Sequence, residues 1–335
     1  MHWRHIYRWD LDKTYLETDF ESIRRMVRIA FERPEEKLNV PGSAALLREL
    51  GRDRDGLPPS RVCIVSGSPR QMRRTLEKKL ELDGVRWHEF HLKPQLENQR
   101  RGRFRADREQ VGYKLPLLLR SRLKTEGSEG VRETLFGDDA EVDAFIYSLY
   151  ADVLAGRVKE DDLVRVLRAV GAYDDAVDKA VAAAKELQHE DAVERIFIML
   201  DRRTPPAFFR PFGARVVPIF NYFQAALVLF SGGHLSANGV VAVTRSFLEA
   251  EGHSEDDLAN FFQDVVRRGH LPATAMQDLG IAIQELSDVP NEAGVVWKAV
   301  QRFMDLGSAR RFLAPTPPPG TDYEVLLAHL RSRHG

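Results

Sequence analysis

Strand-like segments alternate with helical segments between residues 6 and 200. Apolar segments predict strands at 6–10, 61–66, 87–93, 134–138 and 193–200. Helical spacing predicts helices at 20–33, 44–50, 69–82, 141–155, 160–169 and 173–187. Such alternation predicts a parallel sheet with right-handed crossovers. We therefore expect an α/β fold: a doubly wound, Rossmann-like sheet ending with the strand at 193–200, with helical insertions and an all-helical C-terminal region.

Three of the predicted strands end in polar residues. In chain order these residues are Asp10 and Asp12, then Ser66, then Asp138 and Asp139. Asp143 follows shortly afterwards, and Lys114 is predicted to open a leucine-rich helix. Ligands of parallel α/β sheets bind beyond the carboxyl ends of the strands. These residues can therefore converge on one site although they are far apart in the chain.

The predicted site has the parts of a phosphoryl-transfer centre. Asp10 is the candidate nucleophile, because a carboxylate can attack phosphorus and form an aspartyl-phosphate. Asp12 points along the same side of an extended chain, so it is the candidate acid and base. Ser66 and Lys114 are predicted to bind the phosphoryl oxygens, where negative charge must be stabilised.

Clustered carboxylates also predict a bound Mg²⁺, which prefers oxygen ligands. Asp10 and Asp138 are the expected direct ligands. Asp143 or Asp139 is expected to act directly or through water, and Asp12 is included in the predicted metal set.

The same segments resemble the four motifs of the haloacid-dehalogenase (HAD) superfamily of phosphatases. The resemblance rests on 10–14, the strand ending in Ser66, Lys114 and 137–143. It implies a HAD-like fold and Mg²⁺-dependent hydrolysis of a phosphomonoester through an aspartyl-phosphate. Asp12 argues against a dehalogenase, and no membrane domain is evident that would suit a cation pump. Phosphomutase and phosphatase share these motifs, so that choice stays open.

A narrower resemblance covers about residues 5–150. The segments 65–72, 91–94, 113–114 and 137–147 are similar to the yeast actin-patch phosphatidate phosphatase family and its bacterial relatives. This resemblance implies a lipid phosphate as substrate. Lys13 departs from the family, which usually has Asp there, whereas most HAD enzymes have Gly. An ammonium group at this position could pair with Asp10 or displace the metal, which would favour a catalytically silent scaffold.

Composition narrows the classes of partner. The 49 basic and 50 acidic residues leave a net charge of −1, so no nucleic-acid partner is expected. The single cysteine, Cys63, is expected to be buried in a strand. The N-terminus shows no secretory signal, which predicts a cytoplasmic enzyme. The apolar stretch 216–230 is interrupted by Pro218 and is too short to span a membrane, so we expect a buried helix, with a lipid-docking surface as the alternative.

Three regions are predicted along the chain. Residues 1–232 form the catalytic domain, with a helical insertion at about 157–190 and a basic loop at about 97–112. That loop is either a solvated segment or a lid that guides an anionic substrate. Residues 233–314 form a helical domain that could bind a protein partner. Residues 315–335 form a proline-rich linker and a short terminal helix.

Overall fold

The computed structural model describes residues 2–17, 33–54, 56–93, 103–125, 127, 129–251, 254–272, 274–286, 291–307 and 321–332. Residues 20–32 of the predicted helix at 20–33 and the linker at 315–320 lie outside the described residues. The strands are β1 Ile6–Trp9, β2 Arg61–Pro69, β3 Glu89–Lys93, β4 Glu133–Asp138, β5 Val193–Met199 and β6 Val216–Ile219. They form one parallel sheet in the order β3-β2-β1-β4-β5-β6, which confirms the predicted α/β class.

The α-helices of the described residues alternate with these strands and then follow one another. They are α1 Ser43–Leu50, α2 Arg73–Leu82, α3 Arg103–Lys124, α4 Asp143–Leu154, α5 Glu160–Val170, α6 Asp174–Glu186, α7 Tyr222–Ser231, α8 Ala237–Glu251, α9 Glu255–Arg267, α10 Thr274–Gln284, α11 Asn291–Gly307 and α12 Tyr323–Ser332. None of the helices within the described residues is long and apolar enough to cross a membrane.

The strand order reverses direction between β1 and β4. The chain runs outward from β1 to β3 and then returns to place β4 on the other edge of β1. This reversal opens a crevice at the carboxyl ends of β1 and β4, where doubly wound sheets bind ligands. All four residues of β1 are buried, as expected for a strand covered on both faces.

The two faces of the sheet at β1 have different contacts. On one face, the ring of Trp9 stacks on Phe136 with centroids 3.8 Å apart, and Phe136 stacks on Phe197 at 5.0 Å. On the other face, Arg8 makes a bidentate pair with Glu133 of β4. We call Arg8, Ser121, Arg122, Glu133 and Tyr150 the arginine cluster. Its hydrogen bonds join β1 and β4 to α3 and α4.

Two predictions about local structure were wrong. Helix α3 begins at Arg103, so much of the predicted basic loop is helical and Lys114 lies inside the helix. From Arg108 onward, where the side chains of α3 are described, the buried apolar positions include Val111, Leu115 and Leu118. The stretch 216–230 contains the additional strand β6 before α7, so 193–200 is not the last strand.

The chain divides into two compact units. The first comprises residues 1–37, 51–218 and 318–335, and the second comprises 38–50 and 219–317. In this division α1 and α7 belong to the second unit, whereas the sequence predicted a boundary at 232. Helix α12 returns to the first unit, where the Tyr323 hydroxyl donates to Asp152 over 2.7 Å. Within the second unit, the side chain of Ser254 caps α9 by accepting from the Asp257 N–H.

Candidate active site

The fold brings three carboxylates together at the strand-order reversal. Oxygen atoms of Asp10, Asp138 and Asp143 lie within 4.8 Å of one another, and all three residues are buried. Asp10 follows β1, Asp138 ends β4 and Asp143 begins α4. With Lys114 and Glu141, we call these residues the carboxylate cluster.

Asp10 has an unusual environment for a buried carboxylate. Its backbone N–H donates to the carbonyl of Phe136 over 3.0 Å, which extends the β1–β4 ladder and fixes the residue. Neither carboxylate oxygen accepts a hydrogen bond from the described residues. Burial raises the pKa of Asp10 well above its usual range; Lys114 opposes this shift and the neighbouring acids add to it. Oxygens of a buried carboxylate that accept no hydrogen bond are available to a further ligand.

Lys114 is the cation at the centre of the cluster, and its side chain is fully buried. Its Nζ donates to Asp143 Oδ1 over 2.6 Å and to Glu141 Oε2 over 2.8 Å. It also lies 3.0 Å from Asp10 Oδ1, outside hydrogen-bonding geometry. Burial favours the neutral amine, but Asp10, Asp143 and Glu141 outweigh burial and raise the pKa of Lys114. The lysine therefore stays charged at neutral pH.

Asp138 and Asp143 are held by the turn between β4 and α4. Asp138 Oδ1 accepts from the N–H groups of Ala140 and Glu141, whereas its Oδ2 accepts none from the described residues. Asp143 approaches the backbone at Gly137, where an added Cβ would lie 2.6 Å from the Asp143 Cβ. Only glycine at 137 permits this approach. Burial raises the pKa of Asp143 to about 6.

Asp139 has a different role from Asp138. Its carboxylate accepts hydrogen bonds from the N–H groups of Arg202 and Thr204 and from the Thr204 hydroxyl. It therefore holds the loop that follows β5, and its oxygens are already used. Asp143, not Asp139, completes the group of three carboxylates.

Asp12 lies outside that group, although we predicted it as a metal ligand. Its Oδ2 accepts from the hydroxyls of Ser66, over 3.0 Å, and Ser68, over 2.7 Å. Ser66 in turn accepts from the N–H of Ser68. Burial raises the pKa of Asp12, while the two hydroxyls oppose that shift. Burial of a carboxylate in this way favours its protonated form.

Lys13 lies in the tight turn after β1. Its backbone has φ +60°, a left-handed conformation that favours glycine, and its N–H donates to Leu16 O. Its ammonium group lies 3.3 Å from Asp201 Oδ2.

Sequence reasoning did not identify three other residues near the site, which are Glu141, Gln110 and Tyr113. Glu141 binds Lys114, and its second oxygen accepts from Gln110 Nε2 over 2.7 Å. Tyr113 has a buried hydroxyl with no partner among the described residues. The signal for Glu141 was its position between Asp138 and Asp143, but an acid in a turn usually faces solvent.

No relative was found that would assign a chemistry to this site. Comparison of the chain with models of protein families, with curated proteins and with solved structures found no match. What the site does must therefore be inferred from the residues that the fold brings together.

Proposed function

We propose that the protein is a Mg²⁺-dependent phosphomonoester hydrolase that acts through an aspartyl-phosphate on Asp10. One observation carries the proposal. Asp10 lies buried at the strand-order reversal, with neither oxygen hydrogen-bonded to the described residues and with Lys114 and two further carboxylates beside it. The motif resemblance to the HAD superfamily supports the same reaction.

The carboxylate cluster fits a hard divalent cation. Asp10, Asp138 and Asp143 supply oxygen atoms, and three of those atoms accept no hydrogen bond from the described residues: both oxygens of Asp10 and Oδ2 of Asp138. Oxygen ligands of this kind bind Mg²⁺ together with waters and a substrate oxygen. Bound there, the ion would offset the excess negative charge and polarise the phosphoryl group.

The side chains divide the reaction between them. Asp10 forms a bond from a carboxylate oxygen to phosphorus as the bond to the leaving oxygen breaks. Asp12 gives its proton to that leaving oxygen and later takes a proton from the water that cleaves the acyl phosphate. Lys114 binds the phosphoryl oxygens, and Ser66 joins it when its single O–H turns from Asp12 to the substrate. Ser68, which also donates to Asp12, orients that carboxylate.

The proposed substrate is a phosphorylated small molecule or lipid. Phosphatidate is the first candidate, and it rests on the motif resemblance. In the HAD superfamily the cap region selects the leaving group, and the carboxylate cluster acts only on the phosphoryl group.

A catalytically silent scaffold, with the helical second unit binding a protein partner, is the alternative. Lys13 was the residue that favoured it. The Lys13 ammonium pairs with Asp201 at 3.3 Å. This pairing gives no support to the idea that Lys13 displaces the metal.

Mg²⁺-dependent release of phosphate from an aryl phosphate tests the proposal. Acid quenching during turnover should trap a phosphoryl group on Asp10 that hydroxylamine removes, visible by mass spectrometry of the peptide. The exposed Asp175 pairs with Lys179, so Asp175→Asn is a control that removes a carboxylate without touching the site. A folded, Mg²⁺-bound protein that releases no phosphate from aryl phosphate or phosphatidate would refute the proposal and favour the scaffold.

A further inference from the structure

Glu141 is one of three acids that lie beside the Lys114 ammonium. The Lys114 ammonium has three N–H donors. Two make hydrogen bonds, to Asp143 and Glu141, and the Nζ also contacts Asp10. A phosphoryl group in position for attack by Asp10 needs a Lys114 donor for one of its oxygens. Oxygens of three acids thus lie within 3.0 Å of the Nζ, so a phosphoryl oxygen that comes equally close must take the place of one of them.

The three acids differ in how readily they can leave. Asp10 and Asp143 are buried and belong to the group that fits a metal. The Glu141 side chain is 24 % exposed, so water can solvate its charge when it lets go of Lys114. Glu141 is therefore the contact that a phosphoryl oxygen replaces at the lowest cost.

Gln110 holds Glu141 in the competing position. Its Nε2 donates to Glu141 Oε1 over 2.7 Å. The same amide lies against Gly67 in β2, where an added Cβ would come within 3.0 Å of Nε2. Gln110 on α3 thus links the turn after β4 to the end of β2, and Gly67 leaves room for its amide.

We propose that Glu141, supported by Gln110, occupies Lys114 in place of the phosphoryl group and is displaced when a phosphate ligand binds. This inference rests on the proposed function and identifies Glu141 as a residue that sets phosphate affinity. Its negative charge also repels a phosphate dianion beside it. Removing that charge should strengthen phosphate binding, whereas a residue that only supports the fold would not do so.

Glu141→Gln tests the inference, since the amide keeps the size of the side chain. Isothermal titration with inorganic phosphate in the presence of Mg²⁺ should show a dissociation constant lowered by about tenfold or more. The KM for an aryl phosphate should fall in parallel. Gln110→Ala should give a smaller gain of the same sign. The control is Glu160→Gln, since Glu160 pairs with Lys185 on the surface.

Each outcome decides separately between the two proposals. Unchanged or weaker phosphate binding by folded Glu141→Gln would overturn the competition. A fall in kcat without a gain in phosphate affinity would show that Glu141 positions Lys114 and does not compete. If Glu141→Gln binds phosphate more tightly but the wild type hydrolyses no phosphomonoester, the competition stands and the proposed function is refuted. Absence of phosphate binding in every variant would overturn the competition, and the hydrolysis assay would still judge the enzyme.

Discussion

The carboxylate cluster and the arginine cluster are built from the same four elements. β1 contributes Arg8 to one and leads directly into Asp10 of the other, and the two residues are two positions apart on the chain, which places them on the same side of an extended segment. The helices contribute residues seven positions apart, which share one helix face. These pairs are Lys114 and Ser121 on α3, and Asp143 and Tyr150 on α4.

The two clusters differ in whether their charges are satisfied. Both oxygens of Glu133 accept hydrogen bonds, from Arg8, Arg122 and the Tyr150 hydroxyl. The carboxylate cluster has four acids and one cation, Lys114, and three of its oxygens accept no hydrogen bond from the described residues: both of Asp10 and Oδ2 of Asp138. The fully hydrogen-bonded arginine cluster stabilises the fold, whereas the excess of buried negative charge in the carboxylate cluster is typical of a ligand site.

Asp10→Asn should have the largest effect. The change is nearly isosteric but removes the nucleophile, so kcat for aryl phosphate should fall by at least about a thousandfold. Loss of a negative charge beside Lys114 should leave the protein folded. Steady-state kinetics and thermal unfolding of the purified variant check both expectations. Turnover near the wild-type rate would show that the carboxylate cluster does not perform the proposed chemistry.

Glu133→Gln should chiefly affect stability. It leaves Arg8 buried without its partner, which should lower the free energy of unfolding by about 3–5 kcal/mol. Burial alone raises the pKa of Glu133, but Arg8 and Arg122 outweigh it and lower the pKa below 4.5. The stabilisation is therefore fully present above that pH and is lost as the pH falls toward the lowered value. Urea unfolding should show the wild type and the variant converging in acid; an equal gap at every pH would contradict this account.

The sequence was sufficient for the features that follow from strand order. Asp10, Ser66 and Asp138 could be placed at one edge because parallel strands end together. It was not sufficient where two residues suited one role. Asp139 and Asp143 both had suitable spacing for the metal group. Only the hydrogen bond from Thr204, which is distant in sequence, shows that Asp139 binds a loop instead. The ion pair of Arg8 and Glu133 could not be predicted from the sequence, because the pairing of β1 with β4, and not a local pattern, brings the two residues together.

Binding of Mg²⁺ should stabilise the folded protein without any need for turnover. At a concentration one hundred times the dissociation constant, the gain is about 2.7 kcal/mol. Asp138→Asn should abolish most of this gain, because it removes charge from the metal group. Asp139→Asn provides the adjacent control: it should lower the melting temperature by loosening the Thr204 loop, yet keep the increment on adding Mg²⁺. Equal loss of the increment in both variants would show that the two neighbouring acids do not divide these roles.

Tyr150→Phe should have the smallest effect and gives the finest comparison of the clusters. It removes one hydrogen bond, 2.9 Å long, to the buried Glu133 carboxylate. Bonds to charged groups contribute about 1.5–3 kcal/mol, so denaturant unfolding should show a loss in that range. The two arginines still neutralise Glu133, and the increment on adding Mg²⁺ should therefore match the wild type. A weakened response to Mg²⁺ would mean that the arginine cluster tunes the carboxylate cluster through α4, and that the two are coupled and not independent.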